Sequence, residues 1–379
     1  MEIPFAKPMI GEQERAAIDD VLQGTILTHG PRCSAFEQAF ADFVGVKHAV
    51  TTSNCTTAIH LGLVACGIEP GDEVIVPAMT HVATAHAVEH CGAYPIFVDV
   101  DELTGCIDPN LIEAKVSRRT KAIIVVHFVG LPCDMDRINH IAQKYNIPVI
   151  EDAATALGAT YQNKQAGSLA KIGCFSFYPT KHITSLEGGM LTTDDDAIAD
   201  QVRSQRAFGY DRGLNDRKIP GIYDIKSLGW NYRMSEGHAA VGLVQLNRLP
   251  AFLGLRRTNA ESLVSALTAV DGLFVHPLVT AKSRSSWYCV NIQIMNGSGK
   301  VRDEVALELN AEGIGTSVHY PVALPLSNFY FDKYPCSSDE FANANALAKQ
   351  TISIPCGPHL NATDVDYIIK KVKIVMSYI

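Results

Sequence analysis

The chain lacks most of what would place it outside the ordinary globular enzymes and binding proteins. Its 379 residues contain no CxxC pair, only 2 tryptophans, and 10 cysteines scattered from Cys33 to Cys356. A disulfide scaffold is therefore not expected, and the composition suits reduced thiols in a cytoplasm. On that expectation the glycosylation sequons at Asn54, Asn296 and Asn361 are fortuitous. The longest apolar run, from Ala122 to Leu131, is broken by His127 and falls well short of the roughly 20 residues a bilayer requires. Residues 1–20 carry Glu2, Glu12, Glu14 and Asp19 without an apolar core, so no export signal is expected. Lys and Arg nowhere cluster and the net charge is −8, which argues against a phosphate-driven hold on nucleic acid. No GxxxxGK[ST] loop occurs. Gly313 and Gly315 begin a dinucleotide fingerprint, but Val318 stands where its third glycine should be, so NAD binding is not expected.

What is present is a large apolar fraction, 47%, in a chain long enough for two cores. Short β-branched runs predict strands at 48–52, 73–77, 95–100, 122–127, 148–152, 173–177 and 190–193, hydrophobic enough to be covered on both faces. Amphipathic stretches at 56–66, 82–90, 110–116 and 134–145 predict helices between them. The last has Ile138, Ile141 and Ala142 on one stripe and Asp134 placed to cap its start. The alternation predicts an α/β layered domain with a mainly parallel sheet.

Residues 203–230 are polar and broken by Gly209, Gly213, Pro220, Gly221 and Gly229, which predicts a surface excursion or partner-contacting loop. A helix is expected over 236–255. A shorter αβ pattern follows, with strands at 290–294 and 316–319 and a final helix over 362–378. The domain boundary is placed near 250, giving a large domain over 1–250 and a smaller one over 251–379.

Two constellations could carry chemistry. His86, Glu89 and His90 spell HxxEH, whose histidines at i and i+4 have the spacing of a zinc site; the competing reading is a short helix with polar residues facing its neighbours, and no third ligand is identifiable. The second constellation is more coherent. Asp152 ends a buried strand, and Lys181 leaves another into a turn rich in Thr, Ser and Gly. Small and apolar neighbours should desolvate that amine and make it a better nucleophile, ready for Schiff-base chemistry. Asp152 on a neighbouring strand end could hold a pyridine nitrogen protonated, making the ring an electron sink. From these two residues alone, an unrelated Lys and Asp in a packed domain explain the pattern as well.

Further segments extend it: THGPRCSAF (28–36), SNCTTAIHL (53–61), GDEVIVPAMT (71–80), EDAATALG (151–158), SFYPTKHITSLEGGM (176–190), NYRMSEGHAAVGLVQL (231–246), HYP (319–321) and SIPCGP (353–358). With these in order, the chain resembles the DegT/DnrJ/EryC1/StrS family of pyridoxal-phosphate (PLP) sugar aminotransferases, which have the aspartate-aminotransferase fold, PLP-dependent fold type I. The resemblance implies that Lys181 is the cofactor's lysine and Asp152 the partner of its ring nitrogen. It also implies that Thr56, Thr57 and Ser176 bind the cofactor phosphate, Thr56 and Thr57 from a helix start where free N–H groups suit an anion. His81 would stack on the ring and Thr155 face the ring hydroxyl. Asn231 would reach the phosphate of a neighbouring subunit in a homodimer with shared sites. His319 and Tyr320 would line the sugar-nucleotide pocket.

Three residues depart from the family pattern: Cys55 and Leu186 replace glycines, and Thr155 stands where Gln or His is commoner. One branch of the family replaces the lysine by histidine and dehydrates sugars, but here His182 is only the neighbour of Lys181. The implied reaction is a ping-pong transfer of an amino group, commonly from L-glutamate, through pyridoxamine phosphate (PMP) to a nucleotide-linked ketosugar. The contrasting reading is a catalytically silent regulatory relative, against which the intact Lys181 and Asp152 weigh.

Overall fold

A computed structural model describes residues 2–211, 219, 221–295 and 299–378. Gly213, Pro220 and the sequon at Asn296 lie outside the described residues.

The seven expected strands form one sheet: β1 (His48–Thr52), β2 (Glu73–Pro77), β3 (Tyr94–Val98), β4 (Thr120–Val126), β5 (Val149–Asp152), β6 (Ile172–Ser176) and β7 (Gly189–Thr193). Their spatial order is β1-β7-β6-β5-β4-β2-β3. Only β7 runs against its neighbours, β1 and β6; the pairs β2–β3, β2–β4, β4–β5 and β5–β6 are parallel. Ile75, Ile123, Ile124, Val125 and Ile150 are fully buried, as strands covered by helices on both faces must be.

Five helices matter for the site: α1 (Pro31–Val44), α2 (Cys55–Ala65), α3 (Val82–His90), α4 (Met135–Tyr145) and α5 (Glu236–Leu267). In α4 the stripe of Ile138, Ile141 and Ala142 is buried as expected. Asp134 corrects the sequence reading. It stands at the N-cap without bonding to the helix, because its carboxylate accepts the Tyr161 hydroxyl at 2.9 Å. The stretch 110–116 divides into a helical turn at Pro109–Ile112 and a 3₁₀ turn at Glu113–Lys115.

The helix expected to end near residue 255 continues through Pro250 to Leu267, 32 residues in all. Its first half packs Leu246, Leu249 and Phe252 against Phe36, Phe40, Phe175 and Phe177. Its second half packs Ala260, Leu263 and Leu267 into a separate cluster with Val290, Ile292, Ile352, Ile354 and Ile368. That cluster surrounds a second sheet, in which β9 (Val290–Ile294) pairs antiparallel with β8 (Leu273–Val275) and β10 (Thr351–Ile354). The final helix spans Ala362–Met376.

The strand expected at 316–319 does not form. Only Ser317 bridges, to Ser353, while the preceding segment is held by the N-terminus: Ile3 N–H donates to Gly313 O at 2.8 Å and Gly315 N–H to Ile3 O at 2.7 Å. Among the described residues no helix is long and apolar enough to cross a membrane.

Candidate active site

In a parallel sheet the helix-connecting loops collect at the carboxyl ends of the strands, and that edge is where ligands sit. Here it gathers Asn54 and Cys55 after β1, Thr80 and His81 after β2, Asp152 at the end of β5, and Ser176 with the following Lys181 after β6. Residues far apart in the chain meet for that reason alone.

Glu151 and Asp152 divide their duties by strand alternation, since successive side chains point to opposite faces. The Asp152 carboxylate accepts Thr84 Oγ1 at 2.7 Å, Ala154 N–H at 3.1 Å and the Cys55 thiol at 4.0 Å. It is 5% exposed. Thr84 is joined in turn to Thr80, hydroxyl to hydroxyl, at 2.7 Å. On the opposite face Glu151 accepts from Gly167, Leu169 and Ala170 N–H and bonds His127 Nε2.

Helix α2 begins directly after β1. Asn54 caps it, accepting Thr57 N–H at 2.9 Å, and the Thr57 hydroxyl returns to the Asn54 backbone. Thr57 Oγ1 is thus committed to the cap, while the N–H groups of Cys55 and Thr56, in the first turn, have no acceptor among the described residues and suit an anion. The turn rests on β7 so closely that a Cβ at Gly189 would lie 2.3 Å from Asn54 backbone atoms. Ser176 Oγ accepts Tyr178 N–H at 3.4 Å.

Lys181 is half-buried, with Nζ 5.0 Å from the centre of the Tyr288 ring. The Tyr288 ring is 5.6 Å from His319, which is 5.4 Å from Tyr320, which is 5.8 Å from His81. His81 feels the charges of both Asp152 and Lys181, so this chain of rings lies beside the two. Burial, helped by the Lys181 charge, pushes His319 down to about 3. Burial and the Tyr288 and Asp152 groups push the Tyr320 phenol up. Burial also lowers His81, which Asp152 partly offsets; its Nδ1 accepts Ala83 N–H at 3.2 Å, so it caps α3.

Thr155 and Asn231 have partners within the chain, as does His182, the neighbour of Lys181. The Thr155 hydroxyl donates to His127 O at 3.1 Å. Asn231 is exposed and accepts Arg233 Nε at 2.8 Å, although the adjacent Tyr232 carbonyl binds Ser53 N–H at the phosphate turn. His182 is 3% exposed and bonds the Ser286 carbonyl. Of the HxxEH pair, His86 bonds the Tyr330 hydroxyl at 2.8 Å, and no cluster of three metal-binding groups occurs among the described residues. Thr84 and Tyr288 were not anticipated. Nothing local marks either one, because their partners Asp152 and Lys181 lie far away in sequence.

The family's sequence profile matches residues 8–373. The chain belongs to the DegT/DnrJ/EryC1/StrS aminotransferase family. Bacillus subtilis SpsC, a spore coat polysaccharide biosynthesis protein, is 38% identical over 98% of this chain and 96% of its own length. The GDP-perosamine synthase of Caulobacter vibrioides is 38% identical over 97% and 96%. Among solved structures, Streptococcus pneumoniae Spr1654 in its PMP form superposes with a TM-score of 0.94 at 29% identity, covering 100% of both chains; a PLP form of it superposes equally well. DesV of S. venezuelae gives 0.90 at 32%, covering 97% of this chain and 95% of its own.

The enzyme is therefore a PLP-dependent sugar aminotransferase of fold type I. Its residues fit the cofactor. Among the described residues Lys181 has no carboxylate partner and the buried Asp152 no cation, which suits an aldehyde and a pyridinium, and the start of helix α2 suits a phosphate.

Proposed function

We propose that the enzyme moves an amino group from an amino acid, L-glutamate by family resemblance, to a nucleotide-linked keto-deoxysugar in two half-reactions. The observation that supports this reading is that Lys181 and the buried Asp152 both act on the charge of His81 at the carboxyl edge of the sheet. When bound, PLP supplies an aldehyde that condenses with amines and a ring that withdraws electrons from the adjacent C–H bond. Asp152, its acceptor positions already filled on one side by Thr84 and Ala154, holds a proton at the ring nitrogen. Lys181 Nζ would hold the cofactor and, when released from it, would be the acid and base that moves the proton at the donor α-carbon. The same lysine would move the proton at the ketosugar carbon that receives the amine.

The N–H groups of Cys55 and Thr56 at the start of α2, with the Thr56 and Ser176 hydroxyls, would bind the phosphate; Thr57, placed at the phosphate by the resemblance, would instead shape that turn through its bonds to Asn54, and His81 would cover the ring. Thr155, whose hydroxyl hydrogen is spent on His127, can only accept from the ring hydroxyl. Asn231 reaches the phosphate of a second subunit, which makes the enzyme a homodimer with shared sites; its exposure in the single chain supports this. His319, neutral at working pH, and Tyr320 face the sugar nucleotide. The chain divides near residue 250, within α5, where that helix passes from one apolar cluster to the next. Ten free cysteines support a cytoplasmic setting.

The deciding experiment is Lys181→Ala. Borohydride reduction of the wild type should fix the cofactor's mass on the peptide containing Lys181, and the variant should lose both the label and turnover. Continued turnover by the variant would overturn the reading. A panel of nucleotide ketosugars with glutamate, followed by 2-oxoglutarate release, identifies the acceptor; a yellow protein whose spectrum ignores glutamate would mean a silent relative.

A further inference from the structure

The tyrosine beside Lys181 is held at unusual cost. Its ring, 6% exposed, packs between His182 at 5.7 Å and His319 at 5.6 Å, with the Lys181 ammonium 5.0 Å from its centre. The residue before it, Trp287, has φ +53°, in the left-handed region that bulky residues avoid. That turn is pinned from several sides. Trp287 N–H donates to Ser285 Oγ at 3.0 Å, and the Cys356 thiol donates to Trp287 O at 3.1 Å. Arg256 Nη1 donates to Trp287 O at 3.2 Å and Tyr288 O at 3.0 Å.

Arg256 is itself 5% exposed, and among the described residues its guanidinium donates to carbonyl oxygens and pairs with no carboxylate. A guanidinium in that setting is poorly compensated for its desolvation. A left-handed tryptophan and a buried arginine therefore converge on the backbone that sets one ring. Strain of this kind persists where the surroundings over-determine it, and it gathers at functional sites.

We propose that Tyr288 is a positioning residue for Lys181, its ring face receiving the ammonium whenever the lysine nitrogen is not joined to the cofactor. The inference rests on the reading of Lys181 given above. A displaced lysine has a long, freely rotating stem and must stay within reach of the carbon whose proton it moves. A carboxylate would hold Nζ too, but it would also lock it in the charged form. An aromatic face attracts the cation and still lets it give up its proton.

The test uses the PMP-loaded enzyme, in which the lysine nitrogen carries no cofactor. An amine reagent such as acetic anhydride is applied, and labelling of the Lys181 peptide is timed by mass spectrometry against an exposed lysine of the same protein. Tyr288→Leu should raise the Lys181 labelling rate by about 2- to 30-fold, the range expected for a lost cation–π contact. Tyr288→Phe, which keeps the ring, should label like the wild type. Tyr288→Met should behave as the leucine variant does, and it serves if leucine does not fold. Ring-less variants labelling at the wild-type rate would overturn the inference. Borohydride reduction of the PLP-loaded enzyme separates the two claims: cofactor fixed elsewhere than Lys181 defeats the underlying reading, while cofactor on Lys181 with unchanged labelling defeats only the role of Tyr288.

Discussion

Single residues show how the family pattern was kept and where it was bent. Leu186, in a family glycine position, has φ +70°, so the backbone here still demands the left-handed conformation that glycine takes freely. Its N–H is held by Thr184 Oγ1 at 2.9 Å. The side chain is 43% exposed and contributes little packing. Relief of about 1–2 kcal/mol of left-handed strain is partly offset by the chain entropy of glycine, about 0.5–1 kcal/mol. Leu186→Gly should therefore leave stability unchanged or raise it by about 1 kcal/mol, read as a higher thermal midpoint. A drop in the midpoint would show that Leu186 packs against something that matters. Cys55, the other replaced glycine, has no such strain, and its thiol simply turns toward Asp152.

Buried carboxylates tie together elements that sequence-local caps cannot reach. Glu236, at the first turn of α5 and 1% exposed, accepts the N–H groups of Gly30, Arg32 and Cys33 at the start of α1. It caps a helix more than 200 residues earlier. No capping motif near residue 30 announces this, because Gly30 has no side chain to accept those bonds. Glu236→Ala would leave three backbone donors without their acceptor and should cost about 3 kcal/mol, measured as a lower urea midpoint at constant slope. A loss below about 1 kcal/mol would mean that water takes over the cap.

For the whole molecule the buried histidines set the response to acid. Burial holds His29 and His60 down to about 4 and His319 to about 3, with Arg206, His90 and Lys181 respectively adding to the effect, and holds His182 well below its ordinary value. Their folded values lie below the unfolded value of 6.5, so their contribution is complete above pH 6.5 and is lost as pH falls from there toward 4. Each group sheds stability at up to about 1.4 kcal/mol per pH unit. Below about pH 4.5 Glu37 and Glu236 join them; burial raises both, but Arg206 on Glu37 and the Cys33 thiol with backbone N–H groups on Glu236 hold them under that value. The urea midpoint should be flat between about pH 7 and 8 and fall steeply between 6 and 4. A midpoint unchanged from pH 7 to 5 would contradict this.

The sequence by itself determined the strands and helices of the main sheet, because a buried parallel strand needs a continuous β-branched run and a covering helix needs its stripe, and both are local. It also offered Lys181 and Asp152 as candidates, but only the ordered family-like segments raised them above an unrelated lysine and aspartate. Only the tertiary structure decided that Thr84 serves Asp152, that Tyr288 lies beside Lys181, that Asp134 abandons its cap for Tyr161, and that Glu236 caps α1. Each of these is a contact between segments brought together by the packing of the sheet. A hydrogen bond or ring contact carries no trace in the chain of how far away its partner will be.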